Sequence, residues 1–567
     1  MAVFVRAMML VLVLSGTLAQ ADPALEHYDL VIAGGTVFDG SGRPGVRADI
    51  GIIGDRIAKL GNIDPSRAGS VIDASGKAVA PGFINMLSWA DESLMIDGRG
   101  MSDLRQGVTL EVFGEGTSMG PLTPAMKAER IKRQADFKYD IPWTTLGEYL
   151  DFLVTKGTSL NVASFVGAET VRIHELGYAN RRPTAAELVR MQELVSAAMR
   201  EGAMGVGSSL IYAPGTFADT EELIALASAA AKYGGRYISH MRSEGDQIEA
   251  ALEELRRISR EAKLGAELYH MKLGGQANWQ KFDAVAARIA RARHAGLDIT
   301  ANMYPYTAGA TGLDAAMPAW VQEGGLDAWI ARLQDPASRA RVSAEMQRKG
   351  EGWENLYFAA GSAANIMLVG FKNPQLRNLT GKTLAEVAAL RGTTPADTVI
   401  DLVIEDHSRV ETLYFLMSED NVRRTLKLPY VSFGSDAEAS APEGVFLTSS
   451  THPRAYGTFA RVLGRYVRGE QLLSLPEAIR RMSSLPARNL RLRQRGLLKR
   501  GFYADVVVFD PATIIDTATF AVPMQYALGV ADVIVNGRPA LRHGEPTGAH
   551  SGQVVRGPGW SGWHPQH

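Results

Sequence analysis

Two hydrophobic rhythms divide this chain. Near its start, Tyr28–Phe38 and Ala48–Ile57 are short β-branched runs broken by Gly and Asp, the pattern of strands joined by tight turns. The far end repeats it in Ala504–Asp510 and Ala531–Gly537, so the two termini are predicted to share one sheet. Between them the period changes. Stretches with apolar residues three and four apart, at Thr184–Gly202, Glu244–Ala262 and Phe282–Ala295, predict helices, and they alternate with apolar runs at Arg236–His240, Ala266–Met271 and Leu297–Met303. Helix and strand in alternation predict a parallel α/β sheet, and the length suits an eight-stranded (β/α)8 TIM barrel. From about 312 to 363 the sequence turns helical and charged, which predicts an insertion near the barrel mouth.

The first residues change the expected location. Arg6 precedes an apolar run that ends in Ala19-Gln20-Ala21, the layout of an export leader with an A-x-A cleavage site, so maturation near Asp22 is predicted. The run is shorter than the ~20 residues that span a bilayer, and no membrane anchor is expected after cleavage. Cysteine is absent from the sequence, which excludes disulfides, thiolate ligands and a lipid-modified cysteine. A periplasmic or secreted protein is expected. Lys plus Arg number 60 against 61 Asp plus Glu, a formal net charge of −1. Such a balance gives no field to gather nucleic acid or an anionic membrane, and it fits a small-molecule partner.

Candidate chemistry lies where apolar strands end, because parallel barrels build their sites at the carboxyl ends of strands. His240 closes Arg-Tyr-Ile-Ser-His, His270 closes Ala-Glu-Leu-Tyr-His, and Asp436 closes Tyr-Val-Ser-Phe-Gly-Ser-Asp. The two histidines are 30 residues apart, one strand-helix repeat, which places them on neighbouring strands. Imidazoles suit zinc and similar divalent ions, and a carboxylate at the rim can accept a proton from water. Glu115, in a Gly-flanked turn after Val108–Phe113, is the candidate third ligand. The bland readings are a hydrogen-bonded core for each His and a solvated turn for Glu115. Lys272, Tyr304, Tyr306 and Arg454 also follow or end strand-like runs and could bind a substrate carboxylate. His452, in Thr-His-Pro, reads as a loop-holding residue.

These segments together resemble the amidohydrolase superfamily and, within it, the D-aminoacylase or N-acyl-D-amino-acid deacylase family. The resemblance runs from about Tyr28 to Arg556 and includes Leu30–Gly40, Pro81-Gly-Phe-Ile84, Ser209–Gly215, Ser239-His-Met-Arg242, Tyr304–Gly309, Gly434-Ser-Asp436 and His452-Pro-Arg454. It implies a TIM barrel at 81–494 with the insertion at 312–363. It also implies a small β-sandwich domain from 22–80 and 495–556, beside a leader at 1–21 and a flexible tail at 557–567. It further implies that His240 and His270 bind metal, with Glu115 at the family's bridging position. Asp436 would be general base and acid, and Lys272, Tyr304 and Arg454 would hold the substrate's α-carboxylate. The implied reaction is hydrolysis of an N-acyl-D-amino acid.

One departure from the family is plain. Its paired His-x-His after the first barrel strand is here Leu87-Ser-Trp89, and a further histidine is replaced by Ala168. One divalent ion, expected to be zinc, is therefore predicted on Glu115, His240 and His270, with water in the open fourth position. Two alternatives stand beside this reading. One is a cyclic-amide hydrolase of the hydantoinase or dihydroorotase type; the other is a non-catalytic binding relative that lost turnover with its histidine pair.

Overall fold

Eight short parallel strands form a closed barrel in the computed structural model, which describes residues 27–563. The predicted leader, 1–21, lies outside the described residues. In chain order the strands are β1 Phe83–Asn85, β2 Val108–Phe113, β3 Asn161–Ser164 continuing as Val166–Gly167, and β4 Gly205–Ser209. They go on with β5 Arg236–His240, β6 Ala266–Leu268, β7 Ile299–Met303 and β8 Val431–Phe433. Each pairs with the next in parallel register, and the β8–β1 seam is closed by Met86 N–H donating to Phe433 O at 3.1 Å and by a parallel bridge between Ser88 and Ala437. These strands are buried on both faces, which is why they read as continuous apolar runs rather than alternating ones. Ile84, Leu110, Val112, Phe165, Ile238 and Tyr269 belong to the cluster that fills the barrel.

The surrounding helices obey their local signals. Ala185–Arg200 starts at a capping box in which Thr184 and Glu187 bond each other's backbone N–H groups. Ile248–Ala262 buries Ile248, Ala251, Leu252, Leu255, Ile258 and Ala262, one stripe facing the sheet. It begins at Ile248, not at Glu244 as the periodicity predicts. Ser243 Oγ accepts from the N–H groups of Gly245 and Gln247 at 3.2 and 3.1 Å, holding the segment as a turn that sends Glu244 inward.

Segments near both ends of the described residues enter one nine-stranded sheet. Ala78–Pro81 pairs antiparallel with Val506–Phe509, while Leu30–Val37 pairs with Val46–Ile53 on one edge and with Val71–Asp73 and Ala78–Pro81 on the other. The sheet forks there, and its two arms share a core of Ile32, Ile50, Ile52, Ile72, Val79, Val506 and Ile534.

The insertion is larger than the predicted 312–363. A three-stranded antiparallel sheet joins Gly309–Gly312, Glu411–Tyr414 and Ile366–Gly370, with helices Leu326–Gln334, Pro336–Met346 and Pro395–Asp406 around it. It has its own core, from Leu313 to Leu416. Ile366–Gly370 and Glu411–Tyr414 are short apolar strands like those of the barrel, so the sequence rhythm resumes before the insertion ends. The tail predicted to be loose is fastened as far as Trp563. Arg556 pairs with Asp151 and lies over the Trp560 ring at 4.5 Å, and Trp563 Nε1–H donates to Asp151 Oδ2 at 2.9 Å.

Candidate metal and carboxylate site

Four strand ends converge at the mouth of the barrel. Glu115 lies two residues past β2 between Gly114 and Gly116, both with positive φ; a Cβ on Gly114 would come within 2.4 Å of Phe165 O. That tight turn lifts the Glu115 side chain over the rim. His240 ends β5. His270 follows β6 at φ +33°, with its N–H donating to Asn302 Oδ1 at 2.8 Å, and Asp436 follows β8 at φ +53°. Non-glycine residues held at positive φ at a barrel mouth mark backbone strained to aim side chains.

The predicted triad is brought together. Glu115 Oε1 lies 3.1 Å from His240 Nδ1 and 2.8 Å from His270 Nε2, all three residues are buried, and their ligand atoms lie within 4.8 Å of one another. Burial works to raise the Glu115 carboxyl, but the two imidazoles outweigh it and hold it below the usual range. Two imidazole nitrogens and a carboxylate oxygen are a donor set suited to a divalent ion.

A residue that the sequence reading missed completes this arrangement. Glu244 Oε1 is 2.9 Å from His270 Nδ1 and Glu244 Oε2 is 3.4 Å from His240 Nε2, so one carboxylate spans the far side of both rings. Metal-binding imidazoles commonly give their other nitrogen to such a carboxylate, which fixes tautomer and orientation. Glu244 also accepts from Lys272 Nζ at 2.8 Å on each oxygen. For His270, burial and Lys272 oppose protonation, yet Glu244 and Glu115 prevail and raise its pKa to about 9. The residues present therefore fit a metal: three converging donors, buried, with an outer carboxylate already in place.

Beside the triad stands a cationic group facing a carboxylate. Arg454 opens the helix Arg454–Arg461, and its Nη1 lies 2.8 Å from Asp436 Oδ2. The pair is at ion-pair distance but off the hydrogen-bonding direction, so Arg454 Nε and Nη1 are buried donors without an acceptor. Burial raises the Asp436 carboxyl above its ordinary range although Arg454 opposes it. The Tyr304 ring packs under both cations, 4.5 Å from the Arg454 guanidinium and 5.7 Å from Lys272 Nζ. Lys272, Tyr304 and Arg454 thus form one group next to Asp436.

Two neighbours point elsewhere. Tyr306 OH donates to Asp516 Oδ2 at 3.3 Å and its ring packs under Arg461, so it belongs to the wall. His452 is a loop fastener: Nε2–H donates to Ala308 O at 3.0 Å and Nδ1 accepts from Arg454 N–H at 2.9 Å. Where the resemblance implies a histidine pair, Leu87 is buried and apolar, whereas Trp89 Nε1–H donates to Asp436 Oδ1 at 3.0 Å.

The model of the amidohydrolase family matches residues 141–541. A D-aminoacylase of Alcaligenes xylosoxydans xylosoxydans is 34% identical over 535 residues, 94% of this chain and 98% of that protein. A D-aminoacylase crystal structure, whose binuclear metal centre shows one-metal activation and second-metal attenuation, superposes with a TM-score of 0.76 at 33% identity, covering 93% of this chain and 100% of the other. An N-acyl-D-glutamate deacylase of Bordetella bronchiseptica, complexed with zinc and a phosphonate mimic of the tetrahedral intermediate, superposes at 0.77 with 32% identity, covering 94% and 100%.

Proposed function

Because this chain belongs to the amidohydrolase family, and within it to the D-aminoacylase group, we propose that it hydrolyses N-acyl-D-amino acids to a carboxylic acid and a free D-amino acid. The observation that carries the reading is the meeting of the Glu115, His240 and His270 triad with Asp436 and the Arg454 guanidinium beside it in one buried mouth. A binding protein would gain nothing from a carboxylate of raised pKa set beside a metal triad.

One divalent ion, zinc by choice of ligands, is assigned to Glu115, His240 and His270, with Glu244 holding His270 from behind. When bound it supplies Lewis acidity at the scissile carbonyl. The chain's own residues do the rest. Arg454, Tyr304 and Lys272 take the substrate's α-carboxylate, and with that end fixed the amide lies against Asp436. Asp436 removes a proton from the attacking water as its oxygen bonds to the carbonyl carbon. It then returns that proton to the amide nitrogen as the C–N bond breaks, so the amine leaves neutral and the carboxyl is regenerated as carboxylate. Mutual alignment of these groups accounts for the strained backbone at His270 and Asp436.

The substrate is a small carboxylate-bearing molecule; nucleic acid is not a partner on this reading. Export is part of the proposal: residues 1–21 act as a leader, and the mature protein, starting at Asp22, works in the periplasm or outside the cell. N-terminal sequencing of protein recovered from the periplasm tests that point, and an unprocessed Met1 terminus would refute it. For the reaction, the decisive assay is a panel of N-acyl-D and N-acyl-L amino acids, scored for amine release with metal-free protein and after zinc, manganese or cobalt. Release confined to the D series and dependent on the ion is expected. No release from any substrate with any ion would overturn the reading.

A further inference from the structure

The Leu87-Ser-Trp89 tripeptide that follows the first barrel strand is tied to Asp436. Leu87 O accepts from the backbone N–H of Asp436 at 2.8 Å, Trp89 N–H donates to Ala437 O at 3.0 Å, and Trp89 Nε1–H donates to Asp436 Oδ1 at 3.0 Å. One end of the barrel seam thus grips Asp436 by its main chain and its side chain together. Asp436 needs this, because at φ +53° its backbone is in a conformation that an L-residue keeps only when its surroundings impose it. Its two oxygens are used differently. Oδ1 is tied to an indole, a neutral donor without acceptor capacity, while Oδ2 faces Arg454 at 2.8 Å without a hydrogen bond between them.

We propose that Trp89 is a positioning residue for the hydrolytic reaction: its indole N–H fixes the Asp436 carboxylate through Oδ1 and leaves Oδ2 to exchange protons with water and the leaving amine. The inference rests on the hydrolytic reading above and adds to it. Oδ2 becomes available when the substrate's α-carboxylate engages Arg454, so the same event that anchors the substrate releases the base. A neutral donor on the other oxygen keeps the carboxylate aimed through that exchange. A cation there would compete with the water's proton for the charge.

Trp89→Phe removes the N–H and keeps an aromatic ring in the packing. In the zinc-loaded enzyme it should lower kcat about tenfold, the loss of one hydrogen bond to a charged group, with KM and the bound zinc per chain unchanged. Selective 15N-tryptophan labelling gives a second readout independent of turnover. The indole resonance that vanishes in Trp89→Phe should move upfield in Asp436→Ala and exchange faster with water. A wild-type kcat in Trp89→Phe, a fall expressed in KM alone, or an indole resonance unmoved by Asp436→Ala would each overturn the positioning role while leaving the hydrolytic reading intact. A wild-type enzyme that releases no amine from any substrate would instead sink that reading and the role with it, whatever the resonance reports about the bond.

Discussion

Replacing Arg454 by methionine tests whether the cation grips substrate or merely steadies Asp436. Methionine fills the space of the stem but removes the guanidinium that lies over the Tyr304 ring, and with it the donors that are buried and without hydrogen-bond acceptors in the native protein. If two of them bond the α-carboxylate, each contributing about 1.5 kcal/mol at the lower end for a charged partner, their loss amounts to about 3 kcal/mol, or a little over a hundredfold in kcat/KM. A second effect travels through Asp436. Arg454 opposes the rise that burial imposes on that carboxyl, so without it the carboxyl climbs further and the acid limb of kcat/KM moves to higher pH. The two effects separate when an N-acyl-D-amino acid and the corresponding N-acyl amine, which lacks the carboxylate, are assayed side by side across pH. The pH shift should appear with both substrates, and the hundredfold loss only with the first. An equal loss on both would refute the carboxylate clamp and reduce Arg454 to a neighbour of the base.

Asp436→Asn should lower kcat by about a hundredfold or more while zinc content stays unchanged, since a general base is worth that much and no triad member is touched; steady-state kinetics with metal analysis checks both. Glu244→Gln leaves the three ligands but weakens the hold on His270, so zinc affinity measured by competition with a chelator should fall about ten- to hundredfold. Metal must displace the proton that Glu244 and Glu115 stabilise on His270, so zinc affinity should rise with pH, by about tenfold per unit, until about 9, and calorimetry should record proton release. The same proton stabilises the metal-free fold: with a folded pKa of about 9 above the ordinary 6.5, its contribution is full below about 6.5 and lost as pH rises through about 9. Thermal unfolding of metal-free protein against pH reads that loss, which zinc should abolish.

What the sequence made legible was whatever a strand delivers to its own end. His240, His270 and Asp436 each close an apolar run, and a barrel turns such ends toward one mouth, so one-dimensional position sufficed for them. Glu115 was legible through its flanking glycines. Glu244 was not: four residues past His240, in Ser-Glu-Gly-Asp, it has the look of a helix start or a solvated turn, and only the two Ser243 bonds send it inward. The Trp89 bond to Asp436 spans 347 residues and leaves no local trace. Tyr304 and Tyr306 look equivalent in Tyr-Pro-Tyr, yet the second turns away to Asp516. The insertion's true extent was hidden because Ile366–Gly370 and Glu411–Tyr414 have barrel-like composition and differ only in how they pair. The fastened tail depends on Asp151, more than 400 residues from its partners Arg556 and Trp563.

The seam between the first and last barrel strands has a further meaning for the life of the molecule. Met86 and Ser88 leave the ribosome early, but their partners Phe433 and Ala437 come some 350 residues later, and Ala78–Pro81 waits longer still for Val506–Phe509. Ring closure is thus a late, long-range event of the kind that slows folding. Asp436, the proposed proton carrier, sits on the closing edge, so a polypeptide truncated before the last barrel strand would have the two imidazoles and the glutamate without it. On the proposed mechanism, hydrolysis has to wait until the circle shuts.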